Sequence, residues 1–474
     1  MRGGFGIYYS PVFYGNGGDG LLGYNSASTP INFGFDAGIT LDTYVPLPTV
    51  NPNSQFIGDL GITQDYYDQN FKLGRVIQYD LNFQRQLPYN FAVSLSYIGN
   101  RGTRLRSSFN PLNALPLNAL KLGEQLLRKR LADVTPADRT YAASVGFPLP
   151  ASPDAVYPGF NNQVGNVGIL GGGSVAQALR PFPQYGPLNN RLESQGQSFY
   201  NAFKVDVQRR FTNGIQFGAS YTFSKLITDA ASDLYGGSAL TGVLQDPGDR
   251  RSLRSISPDD VPHNFVVNYL IEFPFGKGKP YLNKNPWVNR LAGGWQVSGI
   301  QRYRSGTPIT VFIAGGRRDF LDLLGSGGNL RPNITGQPFY LNGTVQGDST
   351  SFRYLNPAAF VAPAPYNGTN AAIGSPEYAA YYANPSRFLG TAAPTYNNLR
   401  TKPFFTEDFS IIKKTRITET TYFEIRAEFF NLLNRSRPSG PESNFDNISI
   451  FGNSGYFSDI GQPRRIQLGA RFVF

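Results

Sequence analysis

The sequence predicts an all-β chain, and three observations predict it. Segments of about ten residues alternate apolar and polar side chains, tight-turn residues join them in pairs, and 28 Tyr and 37 Phe supply much of the apolar content. The chain has 474 residues, 40% hydrophobic and only 16% charged, with 53 Gly and 35 Pro that suit long connections. Mean hydropathy is −0.29, and no apolar run approaches about 18 residues, so a transmembrane helix is excluded. Cysteine is absent, which removes disulfides, thiolate metal sites and cysteine nucleophiles together. The net charge of +11 favours anionic partners, but no long basic run marks a nucleic-acid tail.

The opening "MRGGFGIYYSPVFYG" already reads as a strand. It lacks the charged and apolar regions of a signal peptide, so the expectation is a chain that starts part-way through a larger protein. "GRVIQYDLNFQRQL" and "FAVSLSYIG" follow as a hairpin across "PYN", with Ile77, Tyr79, Leu81 and Phe83 on one face and Phe91, Val93, Leu95 and Tyr97 answering them. In "NAFKVDVQRRF", Phe203, Val205, Val207 and Phe211 oppose Lys204, Asp206, Gln208 and Arg210. The next strand, "IQFGASYTFSK", is reached through Asn213-Gly214, a pair that tolerates the positive φ angles of a tight hairpin. "FVVNYLIEF", "WQVSGIQRYR", "EDFSIIKKT", "TYFEIRAEFFN" and the closing "RRIQLGARFVF" complete about ten strands, each near the ~9–11 residues that cross a bilayer at a tilt.

Connection lengths separate a membrane barrel from a soluble sandwich. "PYN", "TNG" and the two-residue Thr418–Glu419 are short, and 274–294 is intermediate. Between them lie long connections at 15–70, 103–195, 227–262, 314–404 and 433–459, which read as structureless loops with Gly-rich flexible tips at 15–20, 168–174 and 325–329. Soluble domains rarely hold several structureless loops beyond ~12–15 residues. Short turns at one end and long loops at the other are how outer-membrane barrels are built, with the apolar face toward lipid and the polar face toward a lumen. Tyr8, Tyr9, Phe13, Tyr97, Tyr221, Tyr269 and Tyr303 are the expected interfacial aromatics.

Several stretches, in order, resemble the barrel of TonB-dependent receptors of the Oar-like group. They are "LRPFPQYG" (179–186), "GQSFYNAFKVDVQRRFTNGIQFGASYTFSKLITDA" (196–230), "PHNFVVNYLIEFPFGKGK" (262–279), "GGWQVSGIQRYRSGTPITV" (293–311), "RPNITGQP" (331–338), "FEIRAEFFNLLNR" (423–435) and the closing strand. The resemblance implies an antiparallel transmembrane β-barrel of 22 strands with an internal plug and a TonB-contacting segment before it. Residues 1–474 then correspond to its C-terminal part, about ten strands, without plug or TonB box. Implied partners are the TonB complex through that missing segment, the barrel-assembly machinery, outer-membrane lipid and lipopolysaccharide, and an unknown extracellular ligand. The implied location is the cell outer membrane. Alone, such a half barrel would leave two strand edges unpaired in lipid, at several kcal/mol per backbone group.

The residues point to binding and transport rather than catalysis, with no cofactor. His263, the single histidine, lies beside Asp259 and Asp260 but without the further ligands or nucleophile that a catalytic or metal role needs, and the resemblance places it at the extracellular start of a strand, which implies a structural rim role. "DPGDRR" (246–251) reads as a turn, and with Asp229 and Asp233 also as a weaker candidate for Ca²⁺. "LGEQLLRKRLAD" (122–133) reads as an amphipathic helix, packing through Leu122, Leu126, Leu127 and Leu131, with Arg128, Lys129 and Arg130 open to anions. Lys204, Asp206, Glu424, Arg426, Glu428 and Arg471 are the candidate lumen-facing charges, joined by Glu272 and Arg302, while Arg75 and Arg85 flank a strand. Ile466, Leu468, Ala470, Phe472 and Phe474 form the expected barrel-assembly signal. A surface adhesion or structural barrel is the alternative from another class, and a secreted glycosidase built on Asp/Glu pairs a remote third.

Overall fold

The computed structural model describes residues 1–9, 64–66, 68, 70–107, 112–162, 173–185, 188–190, 193–230, 244–325, 328–342, 346–347, 351–418, 420–436, 438–455 and 463–474. Ten long strands form one antiparallel sheet in chain order. They are β1 Arg2–Tyr9, β2 Arg75–Leu87, β3 Phe91–Ser107, β4 Glu193–Thr212 and β5 Ile215–Thr228, then β6 His263–Glu272, β7 Trp295–Arg304, β8 Phe404–Arg416, β9 Tyr422–Phe430 and β10 Arg465–Val473. A two-residue segment, Ser255–Ile256, pairs with the end of β5. β1 and β10 are the two edges and do not pair with each other, so the sheet is open.

Register turns the sequence alternation into two continuous faces. Phe5, Tyr79, Gly99, Asn201 and Lys225 lie in one row, and Leu81, Tyr97, Phe203, Phe223 and His263 in the next. Tyr221, Phe265, Tyr303 and Phe405 continue this apolar face across four strands, with successive ring centroids 6.5, 6.3 and 5.6 Å apart. The opposite face carries Asn82, Ser96, Lys204, Thr222 and Asn264 in one row, with Asp206 between Ser94 and Ser220 in the next. A one-residue slip would exchange these faces wholesale, so the pattern itself fixes the register. Large apolar side chains on the first face stay exposed, Leu468 at 77% and Phe203 at 45%. A soluble protein does not leave a face of this extent bare.

The tight turns have the geometry their residues favour. Asn213 and Gly214 adopt φ 52° and 82° between β4 and β5, and a Cβ on Gly214 would come within 3.1 Å of the Glu272 carbonyl. In "PYN", Tyr89 and Asn90 take left-handed φ of 61° and 64°. The β8–β9 connection is longer than the expected Thr418–Glu419. It occupies residues 417–421, where Ile417 and Thr418 both donate their amides to the Thr421 carbonyl, and Glu419 lies outside the described residues. The intermediate connection carries helix α4, Pro286–Ala292, capped by Asn285. Trp287 and Leu291 are exposed on it, and the Trp295 indole donates to the Leu291 carbonyl at 2.9 Å.

The long connections are not structureless. They carry α1 Glu124–Arg128, α2 Pro136–Ser144, α3 Val175–Ala178, α5 Asp319–Leu324 and α6 Pro376–Tyr382, packed round one apolar core. We call this body the cap. Its residues come mainly from the β3–β4 and β7–β8 connections, with Phe445 and Phe451 from the β9–β10 connection against Phe360. The expected single helix over 122–133 is split. Gly123, at φ 77°, precedes α1, and Lys129 leaves helical geometry at ψ 140°. There the chain turns to pair with 173–175, Leu131 donating to Gly173 and Val175 to Lys129. The four leucines still meet the core, each 1% exposed or less.

Candidate functional site

Two surfaces can meet a ligand: the polar face of the sheet and the cap at its long-connection end. On the polar face Lys204 pairs with Asp206 at 3.0 Å, and Glu424 with Lys414 of the neighbouring strand at 3.5 Å. Glu424 also stands opposite Arg471, Arg426 opposite Gly469 and Glu428 opposite Gln467. All six candidate lumen residues therefore lie on one face, spread over β4, β9 and β10. Glu272 lies there too, held by Lys279 at 3.0 Å, as does Arg302. Arg75 and Arg85 are different: register puts them on the apolar face, at opposite ends of β2. Tyr8 likewise departs from expectation, since only Tyr9 shares a face with Ile7 and Phe5. Phe13 lies outside the described residues.

The cap is organised by tyrosine hydroxyls. Tyr378 donates to the Leu122 carbonyl at 2.8 Å, Tyr366 to Leu120 at 2.9 Å and Tyr141 to Lys121 at 2.8 Å. The rings pack edge-on or tilted with Tyr382 and Phe388 at 4.8–5.8 Å. A buried phenol must find an acceptor to offset its desolvation, and here the acceptors are carbonyls at the end of a 3-10 helix, Leu117–Leu122, just before α1. Burial pushes the Tyr382 phenol up to about 12 and raises Tyr366 and Tyr378 as well. In "LRPFPQYG", Asn113 accepts from the Phe182 amide and donates to the Phe182 and Tyr185 carbonyls at 2.8–2.9 Å. Arg180 of the same motif is buried, with its guanidinium pushed down to about 10 by desolvation and donating to the Asp322 carbonyl at 3.2 Å.

Buried ion pairs fasten the cap to the strands. Arg400 reaches Asp260 at 2.6 Å and donates to the Asp260 and Gly306 carbonyls, while the second Asp260 oxygen accepts from the Leu226 amide. Arg250 holds Glu193 at 2.7 Å. Gln245 satisfies both ends of its amide, accepting from Arg331 and Gly390 and donating to the Gly390 carbonyl. Sequence reading missed all three. Their only signal was a polar residue inside a connection taken to be unstructured.

His263 opens β6 with Nδ1 2.8 Å from the Tyr221 hydroxyl and its ring against Phe223, which places it among rim aromatics. Asp229 accepts from the Gln197 amide and faces Arg250, while Asp246 and Asp249 cap Gly248 and Ser252. Their oxygens are committed to the turn; Asp233 lies outside the described residues. Among the described residues no group of three metal-binding side chains assembles. Ile466, Leu468, Ala470 and Phe472 pair with Phe429, Ala427, Ile425 and Phe423 and share their apolar face; Phe474 follows the last strand, 93% exposed.

An antiparallel sheet, apolar outside and polar inside, with tight turns at one end and a built cap at the other, defines a transmembrane β-barrel protein. The chain belongs to the family described as outer membrane beta barrel domain, which it matches over residues 1–467, and its place is the cell outer membrane. No curated protein matches it. Solved structures with some likeness include the outer membrane transporter YddB from Escherichia coli, at 8% identity and TM-score 0.35, covering 88% of this chain and 35% of that one. Another is the outer-membrane ferripyoverdine receptor of Pseudomonas aeruginosa, at 8% identity and TM-score 0.33, covering 85% and 28%. The FrpB iron transporter from Neisseria meningitidis shares 10% identity at TM-score 0.32, covering 86% and 32%. The chain thus spans about a third of the length of these proteins. At such identities and scores the likeness by itself says nothing of function.

Proposed function

We propose that the chain is the C-terminal part of the barrel of a TonB-dependent receptor of the Oar-like type. The cap and long connections face the outside and bind a scarce or bulky ligand; the polar face lines the lumen through which it passes, driven by the TonB complex. Lys204, Asp206, Glu424, Arg426, Glu428 and Arg471 hydrate that lumen and hold a plug. The remaining strands of a closed barrel pair with β1 and β10, and Ile466, Leu468, Ala470, Phe472 and Phe474 are read by the barrel-assembly machinery.

The observation that carries this reading is the pairing of a continuous polar face, charged on β4, β9 and β10, with a cap whose core is shared between connections. Catalysis is not part of the proposal, since the single histidine is engaged by Tyr221. The test is growth and uptake across a panel of siderophores, oligosaccharides, peptides and cobalamin, in cells with and without the gene and with and without TonB. Uptake of one compound lost in both deletions supports transport. Cell attachment lost only with the gene, and indifferent to TonB, would favour adhesion instead.

A further inference from the structure

The apolar face carries basic residues where a purely lipid-facing surface has no use for them. Arg101 on β3 stands opposite Phe199 on β4, which stands opposite Ile227 on β5, and Ile227 pairs in turn with Ile256. The Arg101 guanidinium lies 5.2 Å from the Phe199 ring centroid, and that of Arg254 lies 5.1 Å from the same ring. Lys225, two residues before Ile227, pairs with Asn201 on the same face. All three side chains are exposed. Among the described residues none has a carboxylate within ion-pair distance. Asp229 and Glu193, by the same ends of β5 and β4, are both turned to Arg250.

Height along the strand fixes what surrounds them. From Phe91 to Arg101, and from Ile215 to Lys225, the chain climbs about 33 Å of strand, or about 25 Å at a tilt near 40°. That is the full height of an apolar band, so the cations stand at its upper boundary. One row below Lys225 stands Tyr97, which donates to Asn201 at 2.9 Å, and in the Lys225 row itself the Tyr79 ring lies over Gly99, where a Cβ would meet it at 2.1 Å. Hydrocarbon-facing residues, then aromatics, then cations is the order of a membrane interface. A guanidinium held over an aromatic ring, with its N–H groups free, presents donors suited to a phosphate.

We propose that Arg101, Lys225 and Arg254, arranged round Phe199, bind the phosphate of a phosphorylated lipid headgroup in the outer leaflet. The proposal rests on the outward placement of the long connections. The lipid's chains then lie along the apolar face below, which joins anchorage and charge in one ligand, and Arg75, opposite Thr103 one row above Arg101, adds a further cation at the top of β2.

The test uses protein extracted from outer membranes and titrated with mixed micelles containing a phosphorylated glycolipid, its dephosphorylated counterpart, or inorganic phosphate alone. Replacing Arg101→Gln, Lys225→Gln and Arg254→Gln together should weaken glycolipid binding about 100-fold. The charge-preserving set Arg101→Lys, Lys225→Arg and Arg254→Lys should fall between, within about tenfold of the parent, because lysine keeps the charge but not the guanidinium fork stacked on Phe199. Equal binding by the parent and the glutamine variant would overturn the site. So would an equal loss on neutralising Lys204, Arg426 and Arg471 of the other face, or failure of the charge-preserving set. Inorganic phosphate competing as well as the glycolipid would mark a free-anion site instead. External proteolysis of the long connections in intact cells reads their placement separately: protection in the parent would overturn that placement, while the micelle titration still reports on the cations.

Discussion

The sheet and the cap are stabilised by opposite arrangements of the same residue types. In the sheet, Phe203 and Leu468 project outward and stay exposed, at 45% and 77%; in the cap, Tyr378 and Leu126 are fully enclosed. The sheet depends on the bilayer to supply its apolar environment and on ladder hydrogen bonds to satisfy its backbone. The cap makes its own interior and must satisfy tyrosine hydroxyls and buried arginines from within. One region therefore reads its solvent from outside, and the other excludes it.

This contrast can be broken, and the largest effect should come from the cap. Tyr378→Ala removes a ring packed against Tyr141 and Tyr382 together with its hydrogen bond to Leu122, at about 3–5 kcal/mol. Limited proteolysis should then open the cap, while the heat-dependent gel mobility of the sheet is unchanged. Joint loss of both would show a single cooperative unit. Asp260→Ala strands the Arg400 guanidinium in a buried place and should cost about 3 kcal/mol, loosening the cap from the β5–β6 end of the sheet. Hydrogen exchange of the Leu226 amide, which Asp260 accepts, is the readout.

On the sheet, Leu468→Arg at mid-strand should cost about 2–4 kcal/mol in lipid, and Gln467→Arg on the other face close to nothing. Urea titration of the two inserted variants compares them; equal costs would deny that the faces differ. Thr135→Ala removes one half of the capping box with Asp138 at the start of α2 and should cost about 1 kcal/mol, seen as faster exchange in that helix only.

Alkaline pH sharpens the same comparison. Phenols ionise near 10 in an unfolded chain, whereas burial holds Tyr382 at about 12 and raises Tyr366 and Tyr378. The unfolded cap thus releases protons first, and its stability falls as pH rises from about 10 through about 12. Phenolate absorbance should appear in a late cooperative step that Tyr378→Phe diminishes. A smooth titration with all tyrosines near 10 would contradict the enclosed cluster.

The sheet was legible in the sequence because its physics is local. Period-two alternation, Asn213-Gly214 and "PYN" each act within a few residues, so ten strands and their faces follow from inspection. The error there was of parity: Tyr8, taken together with Tyr9 as an interfacial aromatic, lies one residue out of step with Phe5 and Ile7. The cap was poorly legible for the converse reason. Leu126 and Tyr378 find each other across about 250 residues of chain, and no periodicity encodes that. Some of its signals were nonetheless present. Thr135-Pro136 and Ser375-Pro376 each place a capping residue before proline at a helix start, and each does begin a helix. The split of 122–133 could not be foreseen, since Lys129 turns only because 173–175 arrives to pair with it.

The shared core of the cap also sets an order of events. Tyr378 belongs to the connection between β7 and β8, while its acceptor Leu122 belongs to the one between β3 and β4; Phe451, from beyond β9, closes the far side against Phe360. No one connection can bury its own apolar residues. On the proposed outward placement of the long connections, each must cross to the far side of the membrane as pliable, unpacked chain and wait there for the others. Until the last hairpin is threaded, those leucines and tyrosines remain open to proteases and to misassociation. A finished cap is thus a record of completed passage, and cells that cut unpacked connections would remove stalled molecules while sparing finished ones.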